Sequence, residues 1–416
     1  MSTDEIRVHS ERAGETLSAG TAYFVSSRSS LSTTFTYDPR YLAQLGAPAI
    51  DPRLDLVSGA QHTRGLPGAF GDGSPDRWGR NLIDKRERAL ARAEKRRART
   101  LDDVDYLLGV SDHTRQGALR YSRGQEGFLA ENSDVPKLIS LPALLRAADD
   151  VSADPDNAAA VKALLDAGTG SLGGARPKAA VTLADGSLGL AKFPHASDQW
   201  DVMGWEATML DLAHDAGITV PRHFLTKADG RSVLVLGRFD RDSMGRRFGY
   251  ISAMTLLGSR DGEERDYGDV SDELNGTSAA LRKDRVDLYD RVAFSVAVHN
   301  TDDHLRNLGL LDTGRGWRLA PLFDVNPNPD EGATRRTSIA GAASRDDEGE
   351  GLIAFATDCG LPADTAHDRL MRLARSLAVW RGKARANSVP ENQLSSVGHV
   401  IDEGAALLER TAGSLS

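Results

Sequence analysis

The sequence predicts an α+β protein of two lobes, preceded by an N-terminal α/β subdomain. Three observations lead there. Short β-like runs alternate with turn residues over about residues 1–80 and recur from about 178 to 252. From about Ser252 onward the apolar spacing is helical, in "DRVDLYDRVAFSVAVHN", "ADTAHDRLMRLARSLAVWRGKA" and "SSVGHVIDEGAALLERTA". Strand-rich first and helix-rich second is the order of an α+β chain. The expected divisions are 1–130, 131–240 and 241–416, and a chain of 416 residues can bury such cores.

The elements follow in order. "GTAYFVS" and "STTFTYD" are strand candidates of the N-terminal subdomain, and "LPGAFGDGSPDRWGRNLI" leads into a basic helix. That helix, "DKRERALARAEKRRART" from Asp84 to Thr100, holds eight Lys/Arg against three Asp/Glu. It reads as a solvated face, or as a contact for phosphate backbone or an acidic partner. "DDVDYLLGVSD" closes the subdomain, and "EGFLAENSDVPKLIS" reads as a linker plus strand. "LPALLRAADDV" and "NAAAVKALLDAG" have amphipathic helical spacing. "KAAVTL" and "LGLAKF" form a hairpin about Asp185-Gly186, after a glycine-bearing loop from Ser171 to Lys178. A helix follows in "WDVMGWEATMLDLAHDAGITVP", stopped by Gly217 and Pro221. "RSVLVLGRFDRDSMGRRFGYIS" reads as a further hairpin, and "NLGLL" with "GWRLAPLF" as another about "DTGRG".

Composition narrows the function classes. A formal charge of −9 argues against the whole surface binding nucleic acid. Cys359 is the only cysteine, so no intramolecular disulfide and no cysteine-based zinc site is expected. The start "MSTDEIRVHSERAGE" has no apolar signal region, and no run is long and apolar enough to span a membrane. A cytoplasmic protein is expected.

The chemistry concentrates in "VAVHNTDDHLRNLGLL", Val296 to Leu311, behind a helix that is apolar almost all round. Phosphoryl transfer from ATP needs one carboxylate for the attacking hydroxyl, and an Asn with a second carboxylate for magnesium. The kinase catalytic loop places its Asp five residues before its Asn. Asp302 and Asn307 keep that separation, and Asp324 lies beyond the next hairpin, where the second carboxylate belongs. The same residue types also favour plain turns. Asp303 fits a turn residue, and His304 a residue that orients the loop by hydrogen bonds.

Lys192, on a strand, fits the lysine that meets the nucleotide phosphates. On the following helix Met203, Glu206, Leu210 and Ala213 share one face. A carboxylate on that stripe is costly unless paired, so Glu206 is the expected partner of Lys192, if it is not solvated at the stripe's edge. The glycines of "SLGGARPK" would let backbone N–H groups approach phosphate, although a glycine turn before a strand is common. "GRFDR", Gly237 to Arg241, leaves a strand where adenine could meet the backbone.

These motifs together resemble the HipA family of serine/threonine kinases, the toxins of bacterial toxin–antitoxin pairs. The resemblance is carried by "SLGGARPK", "AKFP", the helix with Glu206, "GRFDR", "NTDDHLRN" and "LAPLFDV", with weaker likeness in "TFTYDPRYL" and "GSPDRWGRNLI". It implies a fold similar to protein and phosphatidylinositol kinases, with residues 131–240 as the nucleotide-binding lobe and 241–416 as the helical catalytic lobe. It implies ATP and Mg2+ as cofactors and Asp302 as the catalytic Asp, with His304 beside it. Asn307 and Asp324 would be the magnesium ligands, and Lys192 with Glu206 the phosphate-side pair. Ser171, Leu172, Gly173, Gly174 and Ala175 would cover the ATP phosphates, and Gly237, Arg238 and Phe239 would form the adenine hinge. Ser171 matches the serine that family members autophosphorylate; phosphate there would place negative charge where ATP docks. The implied partners are a HipB-like helix-turn-helix antitoxin, with DNA reached only through it, and a protein of translation such as an aminoacyl-tRNA synthetase as substrate.

The hinge reads "GRFDR" where the family often begins with an acidic residue. A backbone hydrogen bond to adenine survives that change. The basic helix maps onto no family motif. Three rivals are weighed against this reading. A His-Asp phosphohydrolase would have to use His214-Asp215 or His367-Asp368, both in helical, Ala/Leu-rich contexts. A small-molecule kinase could use the same Asp…Asn…Asp order. A kinase-shaped co-repressor module would bind a DNA-binding partner without turnover.

Overall fold

The computed structural model describes residues 2–27, 30–124, 127–130, 135–154, 157–168 and 176–415. Five antiparallel strands open the chain: β1 (Ser2–Arg12), β2 (Glu15–Ser26), β3 (Leu31–Tyr37), β4 (Ala60–Arg64) and β5 (Leu119–Ser122), in the order β4-β3-β2-β1-β5. Ile6 and Val8 on β1, Phe24 on β2 and Phe35 on β3 point to one face, with the period of two that a half-buried sheet requires, and pack on Phe70.

The second sheet holds β6 (Lys178–Thr182), β7 (Leu188–Lys192), β8 (His223–Ala228) and β9 (Arg231–Gly237), in the order β6-β7-β9-β8. Val233 and Val235 pack toward the helix Leu141–Ala153, while Leu234 and Leu236 join the core that holds the helix Val202–Asp215. Both faces of β9 are thus covered, which explains its unbroken apolar run.

The third region is mainly helical. A small sheet of β10 (Gly249–Ser252), β12 (Gly309–Asp312) and β13 (Trp317–Leu319) sits beside it, with β11 (Arg265–Asp266) and β14 (Thr337–Ser338) as a two-residue parallel pair. The helix Leu281–Ala297 runs through the centre, flanked by Glu348–Asp358, Ala363–Leu377 and His399–Gly413. Gly404 permits the closest of these approaches: a Cβ there would lie 1.9 Å from the Ala297 carbonyl oxygen. This contact fixes the end of the helix that delivers the loop at Asp302.

The mixed two-lobed architecture and the amphipathic helices agree with the sequence reading, as does the hairpin ending near Asp324. Three expectations differ. The segment "RSVLVLGRFDRDSMGRRFGYIS" does not form one hairpin. β9 pairs back with β8, while β10 pairs with β12 in another sheet. Only an isolated bridge, Arg241 to Arg247, joins the two arms, because Asp240 and its arginines turn the chain between the lobes. The basic helix spans Arg77–Ala93, starting earlier and ending sooner than expected. Asp76 caps its start, and beyond Glu94 the chain folds back so that Arg96 meets Glu87 at 2.5 Å. In "EGFLAENSDVPKLIS", Leu138–Ser140 is a short 3-10 turn rather than a strand.

The N-terminal subdomain is bound to the rest through buried charge. Asp240 accepts from Arg238 Nη2 at 2.5 Å, Arg241 Nη1 at 2.8 Å and the Gly117 backbone N–H at 2.8 Å. Arg238 Nη1 also donates to the Thr114 carbonyl, and Arg241 Nη2 to the Arg115 carbonyl. Burial opposes the charge on Asp240, but the two guanidiniums hold its carboxyl well below the ordinary range.

Candidate active site

The loop after the central helix begins with strain and is then clamped. His299 adopts φ 51, unusual for a residue with a Cβ, and its Nε2 pairs with the Asp330 carbonyl at 2.9 Å. Asp303 is buried, while its neighbours Asp302 and His304 are exposed. The Asp303 carboxylate accepts from Arg335 Nη2 at 2.6 Å, from Tyr267 OH at 3.0 Å and from Ser295 Oγ at 3.2 Å. Its carbonyl accepts from Thr337 Oγ1 at 2.8 Å. One acidic residue faces inward as an anchor, while its neighbour Asp302 is left exposed on the loop whose His304 and Asn307 line the cleft. The doubled Asp thus has two roles, and sequence reading missed the inward one. Its signal, an Asp between a buried helix and a later "RR", is not distinctive without the fold.

Asn307 closes the loop: its Nδ2 donates to the Asp302 carbonyl at 3.1 Å and its backbone N–H to the His304 carbonyl at 2.8 Å. The amide oxygen is left without a protein donor among the described residues. Protein around Asp302 desolvates its carboxyl and raises its pKa, the Asp324 charge adds to this, and His304 opposes it.

On the other side of the cleft, Lys192 Nζ donates to Glu206 Oε1 at 2.6 Å and to Asp324 Oδ1 at 2.6 Å. Burial alone would drive the proton off Lys192, but the two carboxylates hold the ammonium charged and raise its pKa. Burial likewise works against Asp324, yet Lys192 keeps its carboxyl below the ordinary range. Glu206, 1% exposed, is raised by desolvation that Lys192 only partly offsets. The structure therefore brings Lys192, Glu206 and Asp324 into one cluster. Asp324 itself adopts φ 58, a left-handed conformation that turns the chain just past the β12–β13 hairpin.

Lys192, Asp324, His304, Asn307, Gly237 and Phe239 line a single cleft of about 960 Å³. Its outer wall comes from the N-terminal subdomain, including Asp76, Arg77 and Arg80. Asp76 forms a buried ion pair with Lys178 at 2.6 Å, tying the start of the Arg77–Ala93 helix to β6. At the expected hinge, the Gly237 and Arg238 N–H groups already donate to the Arg222 and Leu188 carbonyls. Among the described residues Phe239 N–H has no such partner, so backbone donation to a ligand falls to it. The Phe239 ring lies 5.4 Å from that of Phe323, giving the cleft an aromatic patch. The Arg238 side chain is engaged by Asp240 and acts as a structural tie. Ser171, Leu172, Gly173, Gly174 and Ala175 lie outside the described residues.

The residues present fit a magnesium–nucleotide complex. Asp324 keeps a carboxylate oxygen that no protein group engages among the described residues, and Asn307 an amide oxygen. Both are hard oxygen donors of the type magnesium takes alongside phosphate oxygens. Among the described residues no group of three or more His, Cys, Asp or Glu is poised to hold a metal by itself.

Comparison with known proteins places this geometry. A family model described as the HipA-like C-terminal domain matches residues 170–380. The putative kinase Y4mE of Sinorhizobium fredii is 26% identical over 244 residues, covering 50% of this chain and 55% of that protein. The chain thus spans about half the length of that curated relative. A chain of the Shewanella oneidensis MR-1 toxin–antitoxin complex of HipA, HipB and operator DNA superposes with a TM-score of 0.66 at 16% identity, covering 98% of this chain and 97% of that one. That likeness is one of fold. The Helicobacter pylori kinase CtkA overlaps less, with a TM-score of 0.43 at 14% identity over 59% of this chain and 95% of that one.

Proposed function

We propose that this chain, which belongs to the HipA-like C-terminal domain family, is an ATP- and magnesium-dependent kinase acting on a serine or threonine hydroxyl of a protein. The observation that carries the reading is the cluster of Lys192 with Glu206 and Asp324, at a cleft that Asn307 and His304 of the Asp302 loop also line. Bound Mg-ATP would supply the transferable phosphoryl group and a divalent charge to neutralise it. Glu206 holds Lys192 extended, so that its ammonium faces the phosphates. Asn307 and Asp324 would hold the metal, Phe239 and Gly237 the adenine side. Asp302 accepts the proton of the acceptor hydroxyl at its carboxylate. Its raised pKa makes it a better proton acceptor. His304, beside it, tunes that charge.

The finer points of the reading extend the family resemblance. Ser171 is the proposed autophosphorylation site, and phosphate on it would exclude nucleotide. The proposed partner is a HipB-like DNA-binding antitoxin, through which the chain would reach DNA, and the proposed target is a protein of translation such as an aminoacyl-tRNA synthetase. Among the described residues no helix is long and apolar enough to cross a membrane, in keeping with a proposed cytoplasmic location. Intact-protein mass after incubation with Mg-ATP tests the central claim. Wild type that starts unphosphorylated should gain one phosphate at Ser171, and Asp302→Asn should gain none. No gain on wild type, and none on any added protein, would refute it.

A further inference from the structure

The basic stretch that no motif explained gains a place in the fold. On the helix Arg77–Ala93, Arg77, Arg80, Asn81 and Asp84 recur at three- and four-residue spacing and line the same cleft as Asp324 and Asn307. Arg88, exposed, continues that face outward by one more turn. The cleft mouth also receives Arg64 from the end of β4, and Arg260 and Arg306 from the helical lobe. Arg80 is neutralised by Asp103 at 2.7 Å, and Arg306 by Asp261 at 2.8 Å. Arg64, Arg77 and Arg260 are exposed and have no carboxylate partner among the described residues. In a chain of net charge −9, three exposed guanidiniums without a carboxylate partner among the described residues thus border one opening from both of its walls, against the Asp84 carboxylate, which meets Tyr106 OH.

We infer that Arg64, Arg77 and Arg260 form the acceptor-docking mouth of the kinase and select a polypeptide whose phosphorylated hydroxyl is flanked by acidic side chains. The inference rests on the kinase reading above and supplies its substrate class. Charge complementarity sets the sign of the partner. Shape favours a polypeptide over nucleic acid. The cations converge on a concave opening beside Asp302's loop, which suits one extended chain with a few carboxylates, and the net negative charge of the remaining surface repels a long polyanion. The guanidinium fork pairs with carboxylates in two-point contact, as Arg306 does with Asp261 at the same opening.

Fluorescence anisotropy of two labelled peptides, a central serine flanked by glutamates and the same serine flanked by lysines, tests this on the full chain with a non-hydrolysable ATP analogue and Mg2+. The wild type should bind the acidic peptide at least tenfold more tightly than the basic one. Added salt should erode that preference, as screening of exposed charge requires. The triple variant Arg64→Glu/Arg77→Glu/Arg260→Glu should lose the preference while keeping its affinity for the ATP analogue. The single variants Arg64→Ala, Arg77→Ala and Arg260→Ala keep the test valid should the triple variant fail to fold. Equal binding of both peptides by the wild type, or full retention of the preference in the variants, overturns the inference. A parallel loss of ATP-analogue affinity overturns it by assigning the arginines to the nucleotide. Tighter binding of a single-stranded RNA probe, lost in the same variants, overturns it in favour of nucleic acid. Because binding is read without turnover, failure of the kinase reading would show separately, as absent phosphoryl transfer.

Discussion

Lys192 on the strand-bearing lobe touches Asp324 of the helical lobe at 2.6 Å, and does so while also holding Glu206. One ammonium therefore joins the two walls of the cleft. Substituting Lys192→Ala leaves Glu206 buried without its counter-ion, and removing one partner of a buried pair costs about 3–5 kcal/mol. Urea unfolding should show that loss, and nucleotide titration should show no measurable binding of Mg-ATP. Unchanged unfolding would mean that the pair is not the joint between the lobes.

Adjacent acidic residues should fail in opposite ways. Asp302→Asn removes the proposed proton acceptor but leaves the loop's anchors intact. Transfer should fall about 10²–10⁴-fold, with stability within about 0.5 kcal/mol of wild type, as for exposed substitutions. Asp303→Ala takes from Arg335, which is 6% exposed, one of its two carboxylates and leaves it Glu348, so it should cost up to about 3 kcal/mol of stability. Measuring thermal midpoint and phosphoryl transfer on both variants separates the roles. A stable Asp303→Ala protein would show that Arg335 does not hold the loop.

This pair of residues also marks how far the sequence could be read. The Lys192–Glu206 pair was legible because helical periodicity placed Glu206 on a buried stripe. The meeting of Lys192, Asp324 and Asn307 at one cleft was expected from the residue types and order that phosphoryl-transfer chemistry uses. Asp303 was not legible, since its partner Arg335 lies 32 residues away and only the fold joins them. The same holds for Asp76 with Lys178, 102 residues apart, and for Arg238, whose role is a tie to the N-terminal subdomain. Strand pairing beyond "GRFDR" misled for a related reason. Turn residues suggest a hairpin, but the buried Asp240 cluster carries the chain from one sheet to another.

That cluster gives a third expectation. Asp240→Asn leaves Arg238 and Arg241 without their shared carboxylate at the junction with residues 114–117. The N-terminal subdomain should then loosen while the rest stays folded. Hydrogen exchange should speed up in residues 112–122 and in β10, with the helix Leu281–Ala297 remaining protected. Uniform faster exchange throughout would indicate that the molecule unfolds as one unit.

The anchor network behind Asp303 also predicts a pH dependence. Glu348 is 1% exposed, and burial raises its carboxyl to about 7, an effect that Arg335 and Arg345 only partly offset and Asp303 reinforces. Its Oε1 accepts from Arg335 at 3.1 Å, whereas its Oε2 has no partner among the described residues and is the natural seat of a proton. The folded chain thus binds this proton more tightly than the unfolded chain, where a glutamate titrates near about 4.3. The resulting stability is fully present below that value and is lost as pH rises through about 7. A shift of between two and three pH units corresponds to about 4 kcal/mol at most. Glu348→Gln mimics the protonated form and removes the slope. The difference in unfolding free energy between variant and wild type should therefore grow in the variant's favour from pH 5 to pH 8. A difference that stays flat across that range would place the Glu348 charge in solvent rather than in the network that holds the Asp302–Asn307 loop.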